Sequence, residues 1–100
     1  MIARHWHGIA RRECAEAYVR HLREETFPAL ALIPGFATAS ILQRPVAQGI
    51  EFLVVTHWQS IEAIKEFAGS NPEAAVVPEI VQQMMVSYDP TVSHYEVVQQ

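Results

Sequence analysis

The sequence predicts a single α+β domain built on an antiparallel sheet. Three observations carry that reading. Strand-like and helix-like segments alternate in the order strand, helix, strand, strand, helix, strand over 100 residues, the size of one domain. Half of the residues are hydrophobic and only 18% are charged, where globular proteins average about 25%. Both faces of the middle strands carry apolar side chains, so the sheet needs a cover on each side.

The elements follow in order. Ile2 to Ala10 holds Ile, Trp and His with no turn residue before Gly8, and reads as the first strand. Arg12 to about Thr26 is the first helix, because Ala15, Tyr18, Leu22 and Thr26 recur at three- and four-residue spacing with Arg and Glu opposite. Glu16, Arg20 and Glu24 add opposite charges one turn apart. Pro28 ends or kinks this helix, leaving one short turn over 27–33. Pro34-Gly35 is a turn signal, since Pro presets φ and Gly supplies the positive φ that follows. Phe36 to Arg44 is the second strand, Pro45 to Gly49 the hairpin loop, and Ile50 to Gln59 the third strand. Ser60 caps the second helix, Ile61 to Ala68, whose Ile61, Ile64, Phe67 and Ala68 form one stripe ahead of Gly69. Asn71-Pro72 starts a further helical turn through Ala75, and Pro78 stops it. Met84 to Tyr88 can form a short strand, Asp89-Pro90 a turn, and Val92 to Val98 the last strand.

This β-α-β-β-α-β order is the ferredoxin-like pattern, in which two helices cover one face of a four-stranded antiparallel sheet. The third strand places Ile50, Phe52, Val54, Thr56 and Trp58 on one side and Leu53, Val55 and His57 on the other. The second strand places Phe36, Thr38, Ser40 and Leu42 opposite Ala37, Ala39 and Ile41. No element is left to cover the second face, and a second copy of the sheet is the simplest cover. A homodimer with two sheets face to face is therefore expected.

Composition narrows the partners. A net charge of −4 argues against nucleic acid and anionic membrane, both of which need clustered Lys and Arg. Arg11, Arg12, Arg20 and Arg23 are interleaved with Glu13, Glu16 and Glu24 and read as a solvated helix face. The single cysteine, Cys14, makes no internal disulfide and fits a reducing compartment. No signal-peptide pattern is visible, and no apolar run approaches the ~18 residues of a membrane span. A cytoplasmic protein is expected.

Four segments carry a family resemblance. They are the opening Met1 to Gly8, the Ile33-Pro-Gly-Phe36 turn, the Thr56-His-Trp-Gln-Ser60 junction, and the ending Pro90 to Val97. In that order and spacing the chain resembles the antibiotic-biosynthesis-monooxygenase-like family of dimeric α/β barrels, over essentially its whole length. The resemblance implies a ferredoxin-like homodimer with a pocket between sheet and helices in each subunit. Some members of that family oxidise phenolic polyketides or quinols with O₂ and no cofactor; others degrade haem; many have no known activity. The resemblance also implies where a haem degrader keeps its Asn, Trp and ligand His, and here those positions hold His7, Phe67 and Val77. No haem, flavin or metal is expected.

The candidate catalytic residues are His5, His7 and His57. His5 and His7 share a face of the first strand, and His57 can point the same way from the neighbouring strand. A neutral imidazole can take the proton of a phenol, which leaves an anion able to pass an electron to O₂. His-x-His on a strand can also bind a divalent metal, but no nearby carboxylate offers a second partner, and plain structural histidines are the third option. Trp58, Tyr95 and Phe67 are the candidate substrate-binding residues; Trp6, Trp58 and Tyr95 equally suit core or interface anchors. Parity assigns His5 and His7 to the helix side and Arg4 and Trp6 to the dimer side, because histidines are costly in a dry core without partners. Arg4 then needs a carboxylate. The expected function is binding of a flat phenolic or quinone-like molecule, with cofactor-independent monooxygenation as its chemistry. The alternatives are a non-catalytic binding module and an isomerase or decarboxylase on the same barrel.

Overall fold

A computed structural model describes all residues, Met1–Gln100. The chain forms β1 (Ile2–Ala10), a helical run comprising a 3-10 turn (Arg12–Cys14), α1 (Ala15–His21), a π turn (Leu22–Thr26) and α2 (Phe27–Ala31), then β2 (Phe36–Val46), β3 (Gly49–Trp58), α3 (Ile61–Ala68), α4 (Glu79–Met84), β4 (Met85–Tyr88) and β5 (Ser93–Glu96). The sheet order is β2-β3-β1-β4, with every pairing antiparallel and β5 also on β1. This is the ferredoxin-like arrangement that the sequence predicts.

The short strand expected over Met84 to Tyr88 is present as β4, and the last strand is shorter than the expected Val92 to Val98; β4 pairs with Gly8–Ala10 and β5 with Ile2–His5, so together they fill one lane beside β1. The helical turn expected over 72–75 is absent; Ala74 instead makes an isolated bridge with Thr91. Pro78 is the residue before α4 rather than the end of a helix, the position where its fixed φ and missing N–H do no harm. At the edge of the sheet β2 continues through Pro45, whose missing donor costs nothing on a strand with a free side.

The helical run covers Pro28 by widening to a π turn just before it, which re-spaces the ladder around the missing N–H. Ser60 Oγ accepts a hydrogen bond from the Ala63 amide at 3.2 Å and fixes the start of α3.

The core lies on one face of the sheet. Trp6, Tyr18, Leu22, Phe52, Val54, Val81 and Met85 belong to its larger cluster, and Leu30, Trp58, Ala63 and Ile64 form a second cluster under α3. Trp58 and Phe52 are wholly buried. The opposite face is open. There, Ala3, His5, His7 and Ile9 of β1 stand across from His57, Val55, Leu53 and Glu51 of β3. A register shift between Phe36 and Thr38 keeps Phe36 beside Trp58 on the covered side while Thr38, Ser40 and Leu42 align with the open face.

Candidate functional site

The covered side contains a cleft between β1, β3 and the helices. Its walls include Arg4, Trp6, Tyr18, His21, Phe27 and Phe67, with Val76, Val77 and Pro78 closing one end. Mouth included, the cleft holds about 570 Å³ of empty space. The aromatic rings on its wall suit a flat molecule. Trp6 reaches it by folding over Gly8: a Cβ at Gly8 would lie 2.6 Å from Trp6 Cη2. The indole packs 6.1 Å from the Tyr18 ring and 6.5 Å from Tyr88, and its Nε1–H donates to the Asp89 carbonyl at 3.0 Å.

This geometry reverses the expected parity. Trp6 and Arg4 lie under the helices, and His5 and His7 lie on the open face. The reason is visible on both sides. The covered side gives the indole an aromatic cage and a carbonyl, whereas the open face supplies the imidazoles with polar partners. His7 Nε2 sits 3.0 Å from Glu51 Oε2 and its Nδ1 3.7 Å from Asp89 Oδ2. Glu51 also pairs with Arg44. The Arg44 and His7 contacts hold the Glu51 carboxyl below the usual carboxylate range. His57 Nδ1 is 3.0 Å from Thr38 Oγ1. The His5 ring lies 4.9 Å from that of Tyr95, and burial together with nearby His57 makes it harder to protonate than an ordinary imidazole. The three histidines do share one face, as the alternation suggested, but none of them lines the cleft. No group of three His, Cys, Asp or Glu side chains is placed to hold a metal ion.

The three candidate binding residues separate in the same way. Phe67 lines the cleft. Trp58 does not; it is sealed behind Phe67, stacked at 6.3 Å and 20°, with its Nε1–H donated to Thr56 Oγ1 at 2.8 Å. Tyr95 stands on the open face, 56% exposed. Trp58 is thus a core anchor, and Tyr95 belongs to the surface expected to meet a partner.

Two polar groups that the sequence reading did not place at the site are there. Arg4 is only 6% exposed. Its Nη2 donates to the Ala74 carbonyl at 2.7 Å, and its guanidinium lies 5.4 Å from the centre of the Phe67 ring. No carboxylate is within ion-pair distance, and its Nε is buried without a partner. Burial lowers its pKa to about 10, which leaves it charged at neutral pH. His21 brings an imidazole to the mouth from the end of α1. Beside Arg4 in the ladder stands His94, whose Nε2 is also buried without a partner. Burial and the Arg4 charge keep it from protonating, with Glu73 opposing. Only the interruption of the apolar β1 pattern by Arg4 signals any of this in the sequence.

Val77 stands where the resemblance implies an iron-ligating histidine, and its neighbours Val76 and Pro78 offer no iron ligand either.

No protein-family model and no curated protein matches the sequence. Several solved structures match the fold over the whole chain. A variant of MhuD with two manganese protoporphyrin IX molecules per active site matches with TM-score 0.69 and 21% identity, over 100% of this chain and 97% of that one. A candidate antibiotic biosynthesis monooxygenase from Bacillus cereus matches with TM-score 0.69 and 20% identity, over 100% and 94%. The haem-degrader MhuD from Mycobacterium tuberculosis with two haems bound matches with TM-score 0.65 and 21% identity, over 100% and 98%. At these identities the likeness is one of fold, and it agrees with the resemblance read from the sequence: the chain has the fold of the antibiotic-biosynthesis-monooxygenase-like proteins.

Proposed function

We propose that the chain binds one flat aromatic molecule, phenolic or quinone-like, in the cleft between helices and sheet. One observation carries this reading: a cleft walled by Trp6, Phe27 and Phe67, with a few polar groups at its margin. That combination of apolar faces and sparse directed donors is what orients a planar ligand. The neighbours that bind porphyrins share the fold, but residue 77, where the resemblance implies the iron-ligating histidine, is a valine here. The direct test is quenching of Trp6 fluorescence by 1,4-naphthohydroquinone, with Trp58→Phe as background so that Trp6 is the sole reporter. Saturable quenching supports the reading; its absence up to millimolar concentration contradicts it.

A second reading is favoured by His21, the one imidazole on the wall. A phenol seated against it would lose its proton, and the resulting phenolate would pass an electron to O₂. Recombination then puts one oxygen atom on the ring. The other leaves as water with the ring hydrogen and the hydroxyl proton. Oxygen uptake dependent on both the phenol and His21 would show turnover. Binding without uptake would make the protein a non-catalytic module.

The open face is the surface for a second copy. Ala3 and Val55 are already buried within it, while Leu42 and Tyr95 stay about half exposed. Two such faces meeting would hide these groups and bury more than about 1,000 Å², as a stable interface requires. Light scattering at micromolar concentration is expected to give a dimer; a monomer mass would refute this part.

A further inference from the structure

We propose that the cleft is selective for an aromatic oxyanion, an aryl carboxylate or phenolate, whose charged oxygens sit on Arg4 and Thr56. The inference deepens the reading of the cleft as an aromatic-ligand site and rests on it.

Arg4 is costly where it stands. A guanidinium carries five N–H donors and no acceptor. One donor here goes to the Ala74 carbonyl, and the Phe67 ring takes one flat side of the group. Nothing meets the Nε–H, and no carboxylate approaches, although the residue is more than nine-tenths buried. Buried cations are ordinarily paired, because removing one from water without a counter-charge is strongly unfavourable. A purely structural guanidinium would bring its carboxylate with it. On the open face Arg44 does so, with Glu51. Arg4 instead lines a cleft whose wall also carries Trp6, Phe27 and Phe67, with no acid among its lining residues.

Thr56 completes the seat. It faces Arg4 directly across the β1–β3 ladder and lines the same cleft. Its oxygen already accepts the Trp58 Nε1–H at 2.8 Å, so its own O–H is left to donate. Four other charged or titratable groups stand near the spot: His94, made harder to protonate by burial and by Arg4; Glu73, which acts on His94 but makes no ion pair with Arg4; and His21 and Tyr18, which line the same cleft, the pKa of the Tyr18 hydroxyl pushed up by burial so that it stays uncharged. The part of the cleft lined by Arg4 and Thr56 is therefore cationic and offers donors, and Trp6 and Phe67 line the same cleft. A carboxylate can match a guanidinium in two charge-assisted hydrogen bonds and a phenolate oxygen in one, which a neutral amide or a bare hydrocarbon cannot do.

The test uses the unmodified chain and two probes of nearly equal shape, 2-naphthoate and 2-naphthamide, titrated calorimetrically at pH 7. The expected result is that naphthoate binds at least tenfold more tightly, about 1.4 kcal/mol. In Arg4→Met the two probes should bind equally, and Arg4→Lys should restore part of the preference. Equal affinities on the unmodified chain overturn the oxyanion seat and leave the aromatic cleft standing. Failure of both probes to bind overturns the cleft reading as well. A preference unchanged in Arg4→Met places the charge recognition elsewhere and also overturns the proposal. If Arg4→Met does not fold, the comparison on the unmodified chain still decides.

Discussion

Replacing Trp6 by Ala tests the face assignment of β1 with a large signal. The indole is 8% exposed and is wedged between Tyr18, Tyr88 and the backbone of Gly8. Removing a buried Trp side chain costs about 3–5 kcal/mol, because the surroundings collapse only in part. The Asp89 carbonyl also loses its donor, at about 1 kcal/mol if water does not replace it. A total of about 5 kcal/mol is a large share of the roughly 5–15 kcal/mol that stabilises a domain, and for this chain length corresponds to about 20 °C in Tm. His7→Ala is the control. Its side chain is 39% exposed, and its ion pair with Glu51 lies at the surface, where solvent screening leaves such pairs worth little. Both variants are compared by urea denaturation followed by circular dichroism, at one protomer concentration because a dimer makes stability concentration-dependent. If Trp6→Ala costs less than His7→Ala, the indole is not in the core and the reasoning fails.

Three further outcomes follow from the same geometry. Gly8→Ala should cost about 1–3 kcal/mol and weaken aromatic binding, because the new methyl meets the Trp6 ring at 2.6 Å and must push it into the cleft; thermal melting and the quenching titration read the two effects, and an unperturbed variant contradicts them. Stability should fall as pH is lowered from about 7 toward 5. His5 and His94 are harder to protonate in the folded chain than an ordinary imidazole at about pH 6.5, so the unfolded chain takes up more protons in that window. A urea midpoint that stays flat across it would count against both placements. Leu53→Glu, on the open face, should give a folded monomer by light scattering with its circular dichroism unchanged; a variant that remains dimeric moves the interface elsewhere.

The parts of the fold that the sequence announces are those set by local rules. Ser60 caps α3 because a hydroxyl there meets the Ala63 amide, and the stripe from Ile61 to Ala68 needs nothing remote to be recognised. Pro34-Gly35 marks its turn because Gly35 takes a φ of 98°. Strand periodicity showed that Arg4 pairs with Trp6 and His5 with His7, but not which pair faces inward. That choice depends on what the distant chain offers: the Asp89 carbonyl for Trp6, and Glu51 for His7. The same limit applies to the site. Arg4 stands out as a cation in an apolar strand, but its isolation arises because residues 74–78, far along the chain, close over it and bring no acid. His57 and Tyr95 looked suited to a ligand by residue type, yet the sheet turns them to the open face.

The proposed function requires that the ligand enter on the helix-covered side of the sheet. Amide and indole chemical-shift mapping with 2-naphthoate tests it most directly. The Trp6 Nε1–H and the amides of Arg4, Thr56, Phe67 and Val77 should shift together and saturate, while those of His5, Leu53, His57 and Tyr95 stay in place. Shifts confined to the open-face residues, with the Trp6 indole unmoved, would contradict it.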